Sequence, residues 1–315
     1  MRDLITIHNV FDDPAEADPA GIPHTSITFP GGEPHVHLPV DRIRDQYIWV
    51  DARLATAEGW MRLMATLWAI AAIGPKWLGL HIPYFPGARQ DRQETGGAFS
   101  VEMYTSMLGT LFGQINAIVI VDPHSGVAGQ MLNKIAPTYP IFPTEIFPAN
   151  QQKYDGVIRP DKGAESRSYE MAKLLGVPLF RAEKHRDGVT GKLSGFSCEL
   201  LPQVGRFLIA DDICDGGGTF VGLADEIRKT SPEIVLDLYV THGIFSKDFG
   251  DLYQRKDEVM RFKRIITTDS FPSWRKPGVY YDMGMSYGMI SPGVLEVISL
   301  REIAAAKMRT IVGQG

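Results

Sequence analysis

Three carboxylates and a run of glycines lie next to each other in the segment Arg206–Thr219, which reads RFLIADDICDGGGT. Asp211, Asp212 and Asp215 come before the glycines at 216–218, and a helical pattern of apolar residues follows. Glycines allow backbone N–H groups to converge on one point, and the N-terminus of a helix adds partial positive charge. Such a loop can bind a phosphate, and the carboxylates can accept hydrogen bonds from sugar hydroxyls. We therefore predict a sugar-phosphate site, and the alternative is a glycine turn with acidic N-capping residues.

Two segments in the first half of the chain carry groups that suit a nucleotide. Arg89 and Arg92 flank Gln90 and Asp91 after a Pro-Gly turn, and guanidinium groups pair with phosphates bidentately. His124 follows an apolar strand, where a neutral imidazole can ligate Mg²⁺ or contact a nucleotide phosphate. The alternatives are a solvated charged loop for the first segment and a structural histidine for the second.

Two segments in the second half could act on the same phosphate chemistry. Asp161 lies in a turn after a short apolar strand, and one carboxylate is what octahedral Mg²⁺ usually takes from protein, the other ligands being water and phosphate oxygens. Lys184 and Arg186 lie on a polar stretch, and cations on a mobile loop can neutralise charge that develops on a transferring phosphoryl group. An N-cap and a surface charge cluster are the respective alternatives.

The elements that must position these residues alternate between strands and helices. Apolar runs predict strands over Trp77–Ile82, Ala117–Val121 and Phe207–Ala210, and helical spacing predicts a helix over Ala57–Ala72. Because this alternation occurs in two series, we expect an α/β fold with two mostly parallel central sheets flanked by helices. Ligands of such sheets bind beyond the carboxyl ends of the strands, where the polar residues above lie.

Further boundaries follow from prolines and apolar patterns. The proline-rich stretch around Pro148 predicts two domains, over residues 1–148 and 149–315. In the second domain we expect a strand over Leu179–Ala182, a loop over Glu183–Gly191 that carries the cations, and a hairpin partner over Leu193–Glu199. The pattern of Val294–Lys307 predicts a terminal helix.

The composition excludes several classes of protein. A net charge of -5 provides no basic field for nucleic acid, and the two cysteines provide no disulfide framework. The chain has no apolar run of the roughly 18–20 residues that a membrane span needs. The acidic N-terminal stretch lacks the pattern of a signal peptide. We therefore expect a cytoplasmic protein that binds neither nucleic acid nor membrane.

Taken in order, these segments resemble the motifs of the ribose-phosphate pyrophosphokinases, and the similarity extends from about Phe29 to Ser246. The glycine segment itself resembles the phosphoribosyl-pyrophosphate loop of the type I phosphoribosyltransferase fold. The matching segments are Phe29–Glu33 (F-S-D-G-E in the family), Pro83–Arg92 (P-Y-x-x-x-A-R-Q-D-R), Val121–His124 (V-D-L-H), Arg159–Asp161 (S-P-D), Glu183–Arg186 (D-K-R-R), Asp211–Thr219 (D-D-x-x-D-T-G-G-T) and Thr241–Ser246 (T-H-P-I-F-S).

The resemblance implies two type I phosphoribosyltransferase-like domains and a role for each matching residue. It implies transfer of the β,γ-pyrophosphoryl group of MgATP to the anomeric hydroxyl of ribose 5-phosphate, giving phosphoribosyl pyrophosphate and AMP, with Mg²⁺ as cofactor. It also implies a homo-oligomer, built from dimers and up to a hexamer, in which a neighbouring subunit completes the ATP pocket. The implied residues are Phe29, Glu33, Arg89, Gln90, Asp91 and His124 for ATP, His124 and Asp161 for Mg²⁺, Asp211, Asp212, Asp215, Gly216, Gly217, Gly218 and Thr219 for the sugar phosphate, and Lys184 and Arg186 for catalysis.

The departures from the family pattern leave alternatives open. Gly31 replaces an Asp of the adenine loop, and Gly216 replaces a Thr of the phosphate loop, which removes a hydroxyl donor and opens space. A larger acceptor such as ADP-ribose, in NAD salvage, is therefore an alternative substrate. A non-catalytic synthetase-associated binding subunit and a true phosphoribosyltransferase are others. Gln93–Gly97 stands where many members have a basic stretch, so allosteric control by phosphate or ADP is not expected.

Overall fold

The structure is a computed structural model that describes residues 3–12, 18, 20–186, 193–247, 252, 260–272 and 294–314, without the side chains of residues 185, 186, 193 and 194. The described residues form two compact units. The first unit lies within Met1–Phe142, Ser270–Ser273 and Ser299–Gly315, and the second lies within Pro143–Asp269 and Trp274–Ile298. The chain thus passes to the second unit a few residues before Pro148, and its last helix belongs to the first unit.

The first unit contains a five-stranded sheet with helices and a separate two-stranded hairpin. Its strands are β1 (Leu4–Asn9), β2 (Thr25–Thr28), β3 (Pro34–His37), β4 (Tyr47–Arg53), β5 (Trp77–Ile82), β6 (Ala117–Val121) and β7 (Thr138–Ile141). Its helices are α1 (Val40–Ile43), α2 (Ala57–Ile73), α3 (Ser100–Gly109), α4 (Gly126–Leu132) and the last helix of the chain, α8 (Arg301–Gly313). The sheet order is β1-β4-β5-β6-β7, in which β1 is antiparallel and the others are parallel, and β2 pairs with β3.

The apolar patterns of the first unit produce the predicted elements. Helix α2 buries Trp60, Leu63 and Leu67 at helical spacing and begins where the Thr56 hydroxyl accepts a hydrogen bond from the Gly59 N–H. Strands β5 and β6 have the predicted bounds, and every residue of β6 is buried, as expected for a strand covered on both faces.

The second unit contains a seven-stranded sheet whose order is β10-β9-β8-β11-β12-β13-β14. Its strands are β8 (Gly156–Arg159), β9 (Leu179–Arg186), β10 (Leu193–Cys198), β11 (Arg206–Cys214), β12 (Val235–Gly243), β13 (Arg264–Thr268) and β14 (Leu295–Ile298). Its helices are α5 (Pro143–Ile146), α6 (Glu165–Leu175) and α7 (Gly218–Thr230), with a 3₁₀ turn over Lys162–Ala164. All strands but β10 run parallel, so their carboxyl ends lie along one edge of the sheet.

Three sequence-based boundaries in the second half of the chain are wrong. Strand β9 continues to Arg186, because Glu183–Arg186 pair with β10 instead of forming a loop, and the rest of the predicted loop, over residues 187–191, lies outside the described residues. Strand β11 continues through both aspartates to Cys214, which pairs with β12. The predicted terminal helix is a strand, β14, followed by α8, because residues 295–298 pair with β13. The hairpin partner β10 is confirmed.

None of the helices in the described part of the chain combines the length and the apolar composition needed to cross a membrane.

A buried carboxylate at the amino ends of the parallel strands ties the second unit together. Asp237 is completely buried, and its Oδ2 accepts hydrogen bonds from the Tyr154 hydroxyl at 2.8 Å and from Nη2 of Arg206 at 2.8 Å. Its Oδ1 accepts from the backbone N–H of Arg264 at 3.1 Å. Three donors from separate segments therefore converge on one buried charge, and this charge lies away from the candidate site.

We expect Asp237→Ala to destabilise the second unit by about 3–5 kcal/mol, because removal of the buried carboxylate leaves the half-buried Arg206 guanidinium and the buried Tyr154 hydroxyl without their partner. The measurement is the midpoint of urea unfolding. Asp225→Ala is the matched control, since Asp225 also pairs with an arginine, Arg261, at 3.0 Å, but its side chain is 37% exposed. The control should lose at most about 1 kcal/mol, and equal losses in the two variants would contradict a role for the buried network.

A buried histidine in β1 couples the stability of the first unit to pH. His8 lies 2.8 Å from the Thr6 hydroxyl through Nε2, and its ring centre lies 4.8 Å from that of Trp49. Burial lowers the pKa of His8 to about 4. The unfolded chain, with a histidine pKa of about 6.5, therefore takes up this proton first as the pH falls.

The free energy of unfolding should therefore fall between about pH 6.5 and about pH 4, by up to about 3 kcal/mol from this group. His8→Gln keeps a polar side chain but cannot take up the proton, so its stability should change less over the same range. Unfolding midpoints measured at several pH values test this expectation. Parallel curves for the two proteins would contradict it.

Candidate active site

The glycine loop connects the end of β11 to the start of α7. Gly217 has a φ of +73°, a left-handed conformation that favours glycine, and it is the N-cap of α7. Helix α7 is anchored by the buried side chains of Phe220, Leu223 and Ile227, as predicted. The first N–H groups of a helix have no partner within the helix, so this loop presents backbone donors where an anion can bind.

A lysine from the neighbouring hairpin reaches this loop. The Lys184 Nζ donates a hydrogen bond to the Thr219 Oγ1 at 2.8 Å. The predicted mobile loop is wrong at this position, since Lys184 lies within β9. Arg186 is the last residue of β9, and its side chain lies outside the described part of the structure. The structure thus places one of the two expected catalytic cations at the glycine loop.

Packing between β10 and α7 holds Lys184 in this place. Phe196 lies directly opposite Lys184 across the β9–β10 pair, so both side chains are on one face of the hairpin. The ring of Phe196 packs on Gly222, where an added Cβ would lie only 2.2 Å from a ring carbon. Because Thr219 and Gly222 are one helical turn apart on the same side of α7, the Phe196 contact also aligns Lys184 with Thr219. Neither Phe196 nor Gly222 stood out in the sequence.

Negative charge is concentrated at the end of β11. The Asp211 Oδ1 accepts a hydrogen bond from the backbone N–H of Asp212 at 2.8 Å. Burial and the neighbouring charges of Asp212 and Asp161 raise the pKa of Asp211 well above its ordinary value. Asp212 is itself buried, and its Oδ2 lies 3.8 Å from Nη2 of Arg167, a residue of α6 that sequence reasoning did not select. This end of the strand therefore favours ligands that bring positive charge or hydrogen-bond donors.

The remaining acidic residues have local partners. Asp161 caps the 3₁₀ turn, as the N-cap alternative proposed, and its Oδ1 accepts a hydrogen bond from the Gly163 N–H at 2.9 Å. The cap engages one of the two carboxylate oxygens of Asp161. Asp215 accepts a hydrogen bond from the Ser246 hydroxyl. Among the described residues, no group of three or more His, Cys, Asp or Glu side chains has the arrangement of a metal site.

A second candidate site lies in the first unit. A cavity of about 430 Å³ is lined by the predicted nucleotide residues Arg89, Gln90, Asp91 and His124. Arg92, Glu94, Gly97 and Ala98 complete the lining. Arg92 and Glu94 pair loosely at 3.7 Å, and the Ser100 hydroxyl donates to the side-chain oxygen of Gln90. The structure therefore brings four of the six expected ATP residues to one cavity.

The other two expected ATP residues lie at the tip of the β2–β3 hairpin and do not line this cavity. The Phe29 N–H donates to the Glu33 carbonyl at 2.9 Å, and Gly32 turns the chain with a φ of +95°. The Phe29 side chain is 48% exposed. The Glu33 carboxylate lies over Gly31, where an added Cβ would be 2.5 Å from Oε2. The family's Asp at position 31 would therefore displace Glu33.

Comparison with known proteins identifies relatives along most of the chain, although no family model matches it. A ribose-phosphate pyrophosphokinase from Maricaulis maris is 28% identical over 258 residues, which cover 77% of this chain and 77% of that protein. A ribose-phosphate pyrophosphokinase from Aquifex aeolicus is 25% identical over 299 residues, which cover 90% of this chain and 86% of that protein.

A solved structure resembles the whole fold. The phosphoribosylpyrophosphate synthetase from Mycobacterium smegmatis superposes with a TM-score of 0.74, covering 96% of this chain and 94% of that chain at 22% sequence identity. This likeness confirms the predicted fold class, with mostly parallel α/β sheets flanked by helices.

We expect Gly222→Ala to lower the free energy of unfolding by about 1–3 kcal/mol, because the added methyl group displaces the Phe196 ring from α7. Gly109→Ala is the matched control, since Gly109 is also helical and has no atom within 4 Å of its added Cβ. The control should gain roughly 0.4–1 kcal/mol through reduced backbone entropy in the unfolded chain. Urea unfolding measures both variants, and a stabilised Gly222→Ala would contradict the contact with Phe196.

Proposed function

We propose that the chain is a divergent member of the ribose-phosphate pyrophosphokinase family, as its relatives along most of its length support, and that it transfers the β,γ-pyrophosphoryl group of ATP to the anomeric hydroxyl of ribose 5-phosphate. The products are phosphoribosyl pyrophosphate and AMP. The observation that carries the proposal is the 2.8 Å contact of Lys184 with Thr219, which brings a cation to a glycine loop preceded by three carboxylates.

The acceptor binds at the end of β11. Asp211 and Asp212 accept hydrogen bonds from the ribose hydroxyls, which supply the donors that this acidic strand end favours. The 5-phosphate lies on the N–H groups of Asp215–Thr219 at the start of α7, where the helix dipole favours an anion. A sugar phosphate satisfies both halves of the segment, whereas a phosphate alone would be repelled by the carboxylates.

The nucleotide binds in the first unit. Arg89 pairs with its phosphates, Gln90 and Asp91 provide hydrogen bonds, and His124 contacts it from the end of β6. Phe29 and Glu33 lie on a hairpin tip outside this cavity, which supports an ATP pocket that a neighbouring subunit of a homo-oligomer completes.

The donors at the second unit suit Mg²⁺. Carboxylate oxygens are the hard ligands that this ion prefers, and burial together with the neighbouring charges of Asp212 and Asp161 raises the pKa of Asp211, so a cation bound there would stabilise its ionised form. Asp161 would hold the ion through its carboxylate, while the imidazole of His124 is a nitrogen donor and fits less well. When bound, Mg²⁺ neutralises phosphate charge and helps to orient the transferring group.

The reaction needs positioning and charge neutralisation more than covalent catalysis. The anomeric oxygen forms a bond to the β-phosphorus, the bond from that phosphorus to the bridging oxygen of AMP breaks, and the hydroxyl proton passes to solvent. Lys184 stabilises the charge that develops on the transferring oxygens, and Arg186 is assigned the same role from the family motif. Asp211 and Asp212 orient the sugar by binding its ring hydroxyls, which leaves the anomeric hydroxyl to react.

The direct test is incubation of the pure protein with MgATP and either ribose 5-phosphate or ADP-ribose. We expect AMP release and a product with the mass of phosphoribosyl pyrophosphate when ribose 5-phosphate is the acceptor. AMP release with ADP-ribose but not with ribose 5-phosphate would mean that ADP-ribose is the acceptor and that the transfer chemistry is as proposed. No AMP with either acceptor would overturn the proposal and favour a binding subunit.

We expect Lys184→Ala to lower kcat by about 10²–10³, as loss of a transition-state donor typically does, while the KM for ATP changes little. Lys173→Ala is the control, because Lys173 is an exposed lysine on α6 whose one ion pair among the described residues is with Glu170, at 3.9 Å. Steady-state rates of AMP formation measure both. If Lys184→Ala retains nearly full turnover, Lys184 has no catalytic role.

A further inference from the structure

A lysine side chain lies against the glycine loop at Gly216, the position that has a threonine in the family motif. The segment after β12 ends, within the described residues, at Lys247. An added Cβ on Gly216 would lie 3.0 Å from the Cδ of Lys247, 3.1 Å from its Cε and 3.3 Å from its Cγ. The space that the sequence suggested was open at Gly216 is therefore covered by the methylene groups of Lys247.

Hydrogen bonds to the end of β11 hold this segment in place. The N–H groups of Ile244 and Phe245 both donate to the Cys214 carbonyl, at 2.9 and 3.0 Å. The Ser246 N–H donates to the Asp215 carbonyl at 3.1 Å, and its hydroxyl donates to the Asp215 carboxylate. Lys247 is the next residue, so its backbone is fixed beside the loop although its side chain is exposed.

The turn that directs Lys247 toward the loop has its own structural cause. Phe245 is buried and has a φ of +46°, a conformation that a bulky residue rarely adopts. Its ring packs on Gly243, where an added Cβ would lie 2.2 Å from a ring carbon. Burial of this ring stabilises the reversal of the chain, and the reversal places Lys247 over Gly216.

Lys247 has a charge available for a ligand. Within the described part of the chain, its ammonium forms no hydrogen bond or ion pair. The loop it covers is preceded by Asp211, Asp212 and Asp215, whose charges disfavour a phosphate. Lys184 contacts the loop at Thr219 and Lys247 contacts it at Gly216, so one lysine lies near each end of the loop.

We propose that Lys247 binds the 5-phosphate of the acceptor and replaces the hydroxyl donor that Gly216 lacks. The proposal rests on the assignment of the glycine loop to a sugar phosphate under the proposed function. The two residues then depend on each other, because a side chain in place of Gly216 would displace Lys247. Lys247 favours the binding of acceptors that carry this phosphate and takes no part in the transfer step.

The first test compares Lys247→Ala with the wild type. We expect the KM for ribose 5-phosphate to rise about tenfold, as loss of one charge-assisted hydrogen bond at an exposed site would produce, with kcat and the KM for ATP unchanged. Lys247→Arg should keep most of the affinity. Lys263→Ala, which removes an exposed lysine just before β13 at the opposite edge of the sheet, should behave as the wild type.

The second test uses the contact between positions 216 and 247. Gly216→Thr alone should raise the KM for ribose 5-phosphate, because the new side chain displaces Lys247. In the Lys247→Ala background the same change should lower the KM, since the threonine has room and supplies a hydroxyl donor. Effects of Gly216→Thr that have the same sign and size in both backgrounds would overturn the coupling.

The outcomes separate this proposal from the proposed function. If the wild type releases AMP but Lys247→Ala keeps the wild-type KM, the role of Lys247 is wrong and the function stands. If the wild type releases no AMP, calorimetry with inorganic phosphate tests Lys247 by itself. Tighter binding by the wild type than by Lys247→Ala supports the role, whereas equal binding or none overturns it.

Discussion

The contact between Lys184 and Thr219 joins the two parts of the candidate active site in the second unit. The contact requires that the β9–β10 hairpin and the start of helix α7 meet within hydrogen-bond distance, although α7 follows a different strand, β11. The Phe196 ring on Gly222 achieves this, because a glycine lets the ring approach the helix backbone closely. A lysine has many rotamers, so its position depends on the packing of the strand that carries it. The catalytic role proposed for Lys184 therefore depends on an apolar contact one helical turn away.

Charge balance is the second constraint on this site. At the end of β11, burial and the neighbouring carboxylates raise the pKa of Asp211, and such an arrangement costs stability unless a ligand or a cation compensates it. The protein supplies part of the compensation from Arg167, whose Nη2 lies 3.8 Å from the Asp212 Oδ2. A sugar phosphate and a divalent cation supply the rest in our proposal. Negative charge near a phosphate loop is therefore consistent with phosphate binding.

The first unit uses different means to position polar groups. Its candidate nucleotide residues lie on the loop after β5 and at the end of β6, and they line one cavity. A charged loop and a lone histidine have common structural explanations, and it is their convergence on one cavity that supports the proposed binding role. The hairpin that carries Phe29 and Glu33 contributes nothing to this cavity within one chain, in keeping with the proposal of a homo-oligomer.

Local patterns were sufficient to predict much of the fold and the position of the glycine loop in the candidate site. The sequence by itself determined the strands β5 and β6, the helix α2 and the glycine loop before α7, because burial on both faces, helical spacing and glycine conformation are properties of short segments. It could not determine that β9 extends through Lys184, since strand pairing with β10 decided this. Only the tertiary structure placed Phe196 on Gly222 and Lys247 on Gly216. Those contacts join residues that are distant in sequence, and close packing between segments leaves no periodic signal in either one.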